Sequence, residues 1–540
     1  MSKEHSSISG ALNESALEYT DIGTISSTVG ELRTSFATGK TRDLEFRKDQ
    51  LRALLKGMRA EKKALLDAVY LDLHKSVNET ELTEYSAVVF EIGLMLENMA
   101  KWTRPDRGSS FLLQPALLFS KSEVRKEPLG TVVILGAWNY PIRLALLPLI
   151  GAIAAGNTAV LKPSELAPHT AVALEYLLTA YMDPSVVRVV QGAVPESTEL
   201  LAQHFDYYFY TGSGSVGRVV ARAAAEHLSG VTLELGGKSP AIVHADVGDL
   251  SVAAMRIMWA KLTNAGQTCV AVDYVLVHRS VKDRLIDLFK DAAVGMYGAS
   301  FAKSPDYGRI VNRRNWNRLK DLLDRSEGAL VPLGDDEPDE NDLFFPPTIV
   351  DGVRPSDSLM SSEIFGPILP IITFDTLDEA IDLVNARDQP LALYAFGSSA
   401  SAQHVLTSTR SGGAVVNDTM FHLASHSMPF GGVGPSGTGR YTGQYSIDTF
   451  SHHRHVFEQP LWFPSPGIDS LRGAPYTGPE NSWKMKVGPS MVYPTLRPLR
   501  ESFLGRLFTR LPFWRLLSII PGFILALFVS KPVMHSRLKH

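Results

Sequence analysis

Apolar residues recur at three- and four-residue spacing over residues 25–105, as in Leu51, Leu54, Leu55 and in Val88, Val89, Ile92, Met95, Leu96. That period predicts helices with one buried face. A different pattern begins near residue 124. The β-branched runs Thr131-Val-Val-Ile-Leu135, Thr158-Ala-Val-Leu161 and Val186-Val-Arg-Val-Val190 alternate with helical stretches and end in Gly, Pro or Asn. Such alternation predicts parallel βαβ units whose ligands sit at the carboxyl ends of the strands. A second α/β series follows through Ala241-Ile-Val243, Tyr274-Val-Leu-Val277, Pro370-Ile-Ile-Thr373 and Gly413-Ala-Val-Val-Asn417. The acidic run Gly334-Asp-Asp-Glu-Pro-Asp-Glu-Asn-Asp342 reads as a solvated loop, not a metal site, and no internal repeat is present.

The tail is different in kind. From Leu511 to Ser530 the only charge is Arg515, with Arg506 and Arg510 before the stretch and Lys531, Arg537 and Lys539 after it. As a helix it reaches roughly 30 Å, the thickness of a bilayer core. Apolar residues cover every face from Leu516 to Val529, unlike a one-sided surface helix. About twelve strongly apolar residues at about −0.5 kcal/mol each favour insertion by roughly 6 kcal/mol, against a few for Arg515, Ser518 and Pro521-Gly522. The expectation is a membrane-associated tail, with the Pro-Gly pair leaving open whether it spans, kinks or dips in and returns.

Composition narrows the class without deciding it. The net charge of −4 over 540 residues supplies no basic field for nucleic acid. A single cysteine excludes any disulfide within the chain, and the Ser- and Glu-containing start carries no apolar signal core. Both features suit a body facing a reducing, cytosol-like medium.

That cysteine, Cys269, lies in Asn264-Ala-Gly-Gln-Thr-Cys269, a run of small, polar, turn-forming residues that suits an exposed loop better than a core. Thirty-five residues upstream stands Glu234-Leu-Gly-Gly-Lys-Ser-Pro240. Together they offer a nucleophile and a base, since a free thiol needs activation to react as thiolate. The Leu-Gly-Gly after Glu234 predicts a turn there and not a clean strand end. Gly212-Ser-Gly-Ser-Val-Gly217, between an aromatic run and a helical stretch, would bring backbone N–H groups towards a pyrophosphate. Lys162-Pro-Ser-Glu165 places a cation and a carboxylate at a strand's carboxyl end, suited to phosphate and ribose hydroxyls. Gly237-Lys-Ser239 lacks the upstream glycine of a P-loop, no G-x-S-x-G elbow or H-E-x-x-H occurs, and His452-His-Arg-His455 reads as a solvated strand. No metal is expected.

These pieces, with Trp138-Asn-Tyr-Pro141, Thr211-Gly-Ser213, Gly266-Gln-Thr-Cys269, Glu363-Ile-Phe-Gly-Pro367 and Pro429-Phe-Gly-Gly-Val-Gly434, resemble the aldehyde dehydrogenase superfamily in order over about residues 25–457. Trp138-Asn-Tyr-Pro141, Ser436-Gly-Thr-Gly-Arg-Tyr441 and the hydrophobic tail are most similar to the class-3 branch, which includes fatty aldehyde dehydrogenases. The resemblance implies an α/β fold: a polar leader (1–24), a Rossmann-like NAD(P)-binding domain (25–232) with part of a β oligomerisation arm near 115–130, and a catalytic domain (233–430). A return to the arm (431–457), a Pro- and Gly-rich linker (458–495) and the membrane tail (496–540) would complete it. It implies Cys269 as nucleophile, Glu234 as base and Asn139 as oxyanion donor. Lys162, Glu165, Gly212, Ser213, Gly217, Glu363 and Phe365 would contact NAD, or NADP, while Tyr140 and Phe430 would shape the substrate and nicotinamide pocket. The implied protein is a homodimer on a membrane surface facing the cytosol, the endoplasmic reticulum first among them. It would oxidise a long apolar aldehyde, a fatty aldehyde first and an apocarotenoid such as β-apo-4'-carotenal second. The contrary reading is a catalytically silent membrane-bound binding protein on the same fold.

Overall fold

The computed structural model describes residues 7–14, 17–107 and 120–459, with a few more between 474 and 484. The predicted span at 511–530 lies outside the described residues, among which no helix is long and apolar enough to cross a membrane.

Helices occupy the first hundred residues, as the apolar spacing predicts. Leu51, Leu54 and Met58 of Leu44–Ala60 and Val88, Ile92 and Met95 of Ser86–Trp102 are fully buried in one core. Within the polar leader a short helix, Ile8–Glu14, also forms. Ile8 is buried, and its N–H donates to Glu61 at 3.2 Å. Between Thr80 and Ser86 the backbone widens into one π-helical turn, Glu81–Tyr85.

Strand β1 (Asp106–Arg107) pairs antiparallel with β2 (Lys121–Pro128), which neighbours β16 (Ser451–Glu458) in a three-stranded sheet. The first α/β sheet contains β3 (Thr131–Leu135), β4 (Thr158–Lys162), β5 (Val187–Val189), β6 (Tyr207–Thr211) and β7 (Gly230–Glu234). These five strands are mutually parallel, and the short β15 (Gly437–Thr438) closes the edge antiparallel to β7, in the order β15-β7-β6-β3-β4-β5. All five residues of β3 and of β4 are buried, as strands covered by helices on both faces must be. Glu234 departs from its sequence reading. It is the last residue of a strand, because Thr211 of β6 and Gly437 of β15 pair with it from either side.

The second sheet follows the order β10-β11-β12-β9-β8-β13-β14. Its strands are β8 (Pro240–Val243), β9 (Tyr274–His278), β10 (Ala329–Pro332), β11 (Thr348–Asp351), β12 (Ile368–Phe374), β13 (Ala392–Phe396) and β14 (Gly413–Val416). All its pairings are parallel except β10 with β11. Between β10 and β11 the acidic run at 334–342 is a loop whose Asp336 accepts from the Ser300 hydroxyl and the Phe301 N–H.

Candidate functional site

Three segments converge: the turn after β3, the end of β7 and the loop before β9. The turn Trp138-Asn-Tyr-Pro141 leads into the helix Pro141–Ala155, whose proline at the first position supplies helical φ and needs no N–H partner. A buried ion pair fixes it. Lys75 and Glu84, both fully buried, approach to 2.5 Å. Lys75 donates to the Asn139 carbonyl at 3.2 Å and lies 4.0 Å from the centre of the Tyr140 ring. The other Glu84 oxygen accepts the Ile142 N–H at 2.9 Å, at the helix start where an anion is favoured.

Asn139 in turn ties this turn to the cysteine loop. Its side-chain amide donates to the Gln267 carbonyl at 3.0 Å, while the Asn264 amide donates to the Asn139 carbonyl at 2.8 Å. Gln267 donates to Asn264 and Arg309 and accepts from the Val311 N–H, and the Tyr140 hydroxyl meets Thr268 at 2.7 Å. The exposed loop expected around Cys269 is therefore not found. Thr263 through Thr268 are buried and Cys269 is half-buried, because the Asn264 and Gln267 amides bond to backbone carbonyls of the loop and its neighbours. Asn264 and Ala265 pay for the tight turn with left-handed backbones, φ 53° and 51°. Beneath the loop, Glu79 accepts the Asn264 N–H at 2.8 Å, and burial pushes its carboxyl up to about 7.

Electrostatically the centre is a proton-holding one. Burial pushes the Cys269 thiol up to about 12, with the Glu363 and Glu234 carboxylates adding to the effect and the Arg143 guanidinium opposing it. Burial alone raises Glu234 well above the usual carboxylate range, and neither of its oxygens has a hydrogen-bond partner among the described residues. A buried, unpartnered carboxyl costs about 1–3 kcal/mol, so its presence points to chemistry more than to stability.

The candidate nucleotide contacts line the carboxyl ends of the first sheet. Lys162 ends β4, and its ammonium reaches Glu165 at 3.0 Å. Ser213 caps the helix Gly214–Glu226. Gly212 follows β6 with φ 157°, and a Cβ there would fall 2.2 Å from the Tyr210 hydroxyl; one on Gly217 would fall 2.9 Å from Leu235. The glycines thus serve close packing of helix on strand as well as open backbone. Across from them, Glu363 sits so near Gly236 that an added Cβ would lie 2.3 Å from its carboxylate, and burial raises it to about 8. Lys238 holds this loop, pairing with Asp273 and donating to the carbonyls of Leu359 and Ser362 at 2.7 and 3.0 Å. Phe365, left-handed at φ 50°, packs its ring edge-on against Trp138 at 5.4 Å.

Cys269, Tyr140 and Phe430 line one cavity of about 400 Å³, with Leu144, Val270, Met428 and Tyr441 giving it a mostly apolar wall. Two polar residues on that wall escaped sequence reasoning. Arg143 is the only residue of Pro141–Ala155 that is not buried, and a lone cation in so apolar a run was the available signal. His422, in the turn after β14, carries no sequence pattern at all. Nor do Lys75, Glu79 and Glu84, which meet the site only through the fold. Among the described residues no cluster of metal-ligating side chains occurs.

Residues 23–456 match the model of the aldehyde dehydrogenase family. The chain is 45% identical over 426 residues to the 4,4'-diaponeurosporen-aldehyde dehydrogenase of Staphylococcus aureus, covering 78% of this chain and 91% of that protein. It is 44% identical over 456 residues to aldehyde dehydrogenase family 3 member A2 of Rattus norvegicus, covering 84% and 92% respectively. A solved structure of an indole-3-acetaldehyde dehydrogenase complexed with NAD+ is similar with a TM-score of 0.75 at 26% identity, covering 82% of this chain and 90% of that one.

Proposed function

The chain belongs to the aldehyde dehydrogenase family and oxidises aldehydes to carboxylic acids, and we propose that its aldehyde is long and apolar. The observation that carries this is the mostly apolar cavity that ends on the half-buried Cys269. In this reading the Cys269 thiol gives up its proton to solvent, the sulfur attacks the carbonyl carbon as the C=O π bond opens, and the oxyanion of the thiohemiacetal accepts from the Asn139 amide and the Cys269 N–H. NAD, or NADP as the alternative, would when bound supply the hydride acceptor that leaves a thioester on Cys269. The resulting thioester is hydrolysed by water that Glu234 deprotonates. Supporting this base is its partnerless carboxyl, which becomes strongly basic once ionised.

The residues fit a dinucleotide. Lys162 and Glu165 would hold the adenosine ribose, Gly212, Ser213 and Gly217 the diphosphate side, Glu363 the nicotinamide ribose, and Phe365 the nicotinamide surroundings. The bare face of Gly236 admits the Glu363 carboxylate, which an added Cβ would meet at 2.3 Å, so Glu363 stands beside the loop that follows Glu234. Glu165 disfavours a 2′-phosphate by charge repulsion, so NAD is preferred.

Fatty aldehydes are the leading substrates. The named substrate of the staphylococcal relative favours apocarotenoid aldehydes as the second reading. The tail at 511–530 would hold the enzyme on a membrane, where such aldehydes dissolve, with residues 458–495 as tether, the body on the cytosolic side and a homodimer as the unit. NADH formation against aldehydes of graded chain length tests the core of this. kcat/KM should climb with length, and a flat profile overturns the long-chain reading. Equal-length saturated and polyene aldehydes separate the two substrates. Truncation after about residue 495 should release soluble enzyme that still oxidises short aldehydes, and full-length protein recovered without detergent would refute the membrane tail.

A further inference from the structure

The cavity beside Cys269 is apolar with one inconsistency. His422 lies on its wall, and both imidazole nitrogens are buried without a partner among the described residues. An apolar side chain would satisfy that wall better, since a buried nitrogen without a partner has lost its bonds to water and gained none. The ring is also held in place. Tyr394 and Phe430 flank it at 6.4 and 6.2 Å between ring centres, and Gly413 leaves it room, an added Cβ falling 3.4 Å from its edge. Its turn, Phe421–Ala424, is entered through Met420 in the left-handed region at φ 45°, a conformation that a non-glycine residue adopts at a cost and that clusters at ligand clamps.

Arg143 lines the same cavity and spans its rim, donating to the Thr83 carbonyl at 3.1 Å and the Leu423 carbonyl at 2.9 Å. It therefore fastens the turn carrying His422 to the π-helical turn at Glu81–Tyr85. Burial, and then this guanidinium, pull the imidazole down to about 4, so the ring is neutral at working pH. A neutral imidazole presents one N–H and one lone pair, which suits a hydroxyl that accepts and donates or a carbonyl oxygen that accepts.

We propose that His422 is a specificity-determining residue that hydrogen-bonds an uncharged oxygen, hydroxyl or keto, carried on the chain of the aldehyde substrate. This rests on the long-aldehyde reading of the cavity and narrows it to apolar chains bearing one such oxygen. A site built to bond that oxygen discriminates against the analogue lacking it, because the nitrogen is then left unpaired.

The test compares each alkanal with hydroxy- and keto-alkanals of the same length, the oxygen walked along the chain, using the full-length enzyme and NAD. Wild type should favour one position over the unsubstituted aldehyde by about tenfold or more in kcat/KM. His422→Phe should abolish that preference, bringing the ratio of substituted to unsubstituted aldehyde near one whatever its overall rate, and His422→Gln, which keeps a donor and an acceptor, should restore part of it. No preferred position in wild type, an unchanged preference in His422→Phe, or a stronger preference for an ω-carboxy aldehyde each overturns the proposal. Comparison at fixed length separates this from the long-chain reading, which fails instead if unsubstituted aldehydes show no dependence on length.

Discussion

The two parallel sheets put opposite ends to work. In the first, the candidate contacts stand where the strands finish: Lys162 closes β4, Glu234 closes β7, Gly212 follows β6, and Asn139 lies in the turn after β3. In the second they stand where strands begin. Cys269 precedes β9 and Glu363 precedes β12. The candidate contacts of the first sheet follow the placement of ligands at carboxyl ends, and those of the second do not. A sheet's carboxyl end offers helix N-termini, which suit phosphate. The amino end of the second sheet offers instead a crossing loop whose backbone is fixed by side-chain amides, and that suits a nucleophile needing exact placement against its donors.

If the division holds, damage at one sheet's end should leave the other's task standing. Cys269→Ala should remove turnover by roughly a thousandfold or more while NAD still binds; NADH production with calorimetric cofactor binding checks it, and turnover within tenfold of wild type refutes the nucleophile. Glu234 closes the first sheet yet faces the second sheet's loop. Glu234→Gln should give a burst of NADH and then a steady rate lower by about a hundredfold, because acylation survives and hydrolysis lacks its base. An undiminished steady rate with no burst would count against that role. The same residue sets a pH slope. Its folded-state pKa is raised, so the folded chain keeps a proton that the unfolded chain has lost. Stability therefore falls as pH rises from about 4.3 towards the folded value, and melting curves across pH should flatten in Glu234→Gln.

Lys75→Met should cost about 3–5 kcal/mol by leaving the Glu84 charge buried alone, and a second change, Glu84→Leu, should recover much of it in thermal unfolding. The smallest effect concerns the first sheet alone. Glu165→Gln should improve kcat/KM with NADP about tenfold relative to NAD without touching the acyl steps, and an unchanged ratio would mean that Glu165 does not face the ribose.

Most of the architecture was legible in the chain. β-branched runs fall on β3, β4, β5, β8, β9, β12 and β14, and helical spacing on residues 25–105, because period and branching act locally. Tyr140, Phe430 and Cys269, read from motifs, meet at one cavity. What stayed hidden is non-local. Lys75 and Glu84 become a buried pair only when the turn after β3 packs against both of them, and the loop before β9 looked solvent-exposed because its polar side chains give no hint that they bond to nearby backbone carbonyls. Arg143 was visible as an oddity and His422 was not.

One consequence of the lone thiol reaches beyond turnover. Cys269 is the only cysteine, so no second sulfur in the chain can capture an oxidised form as a disulfide. Peroxide that converts it to a sulfenic acid leaves a species that either meets an external thiol or proceeds to the sulfinic acid, which is not ordinarily reversed. Burial and the neighbouring carboxylates, by keeping the sulfur protonated at rest, slow that first oxidation, since the thiolate is the form that reacts. On the proposed reading, surroundings that keep the sulfur protonated slow its reaction with an aldehyde and with an oxidant alike.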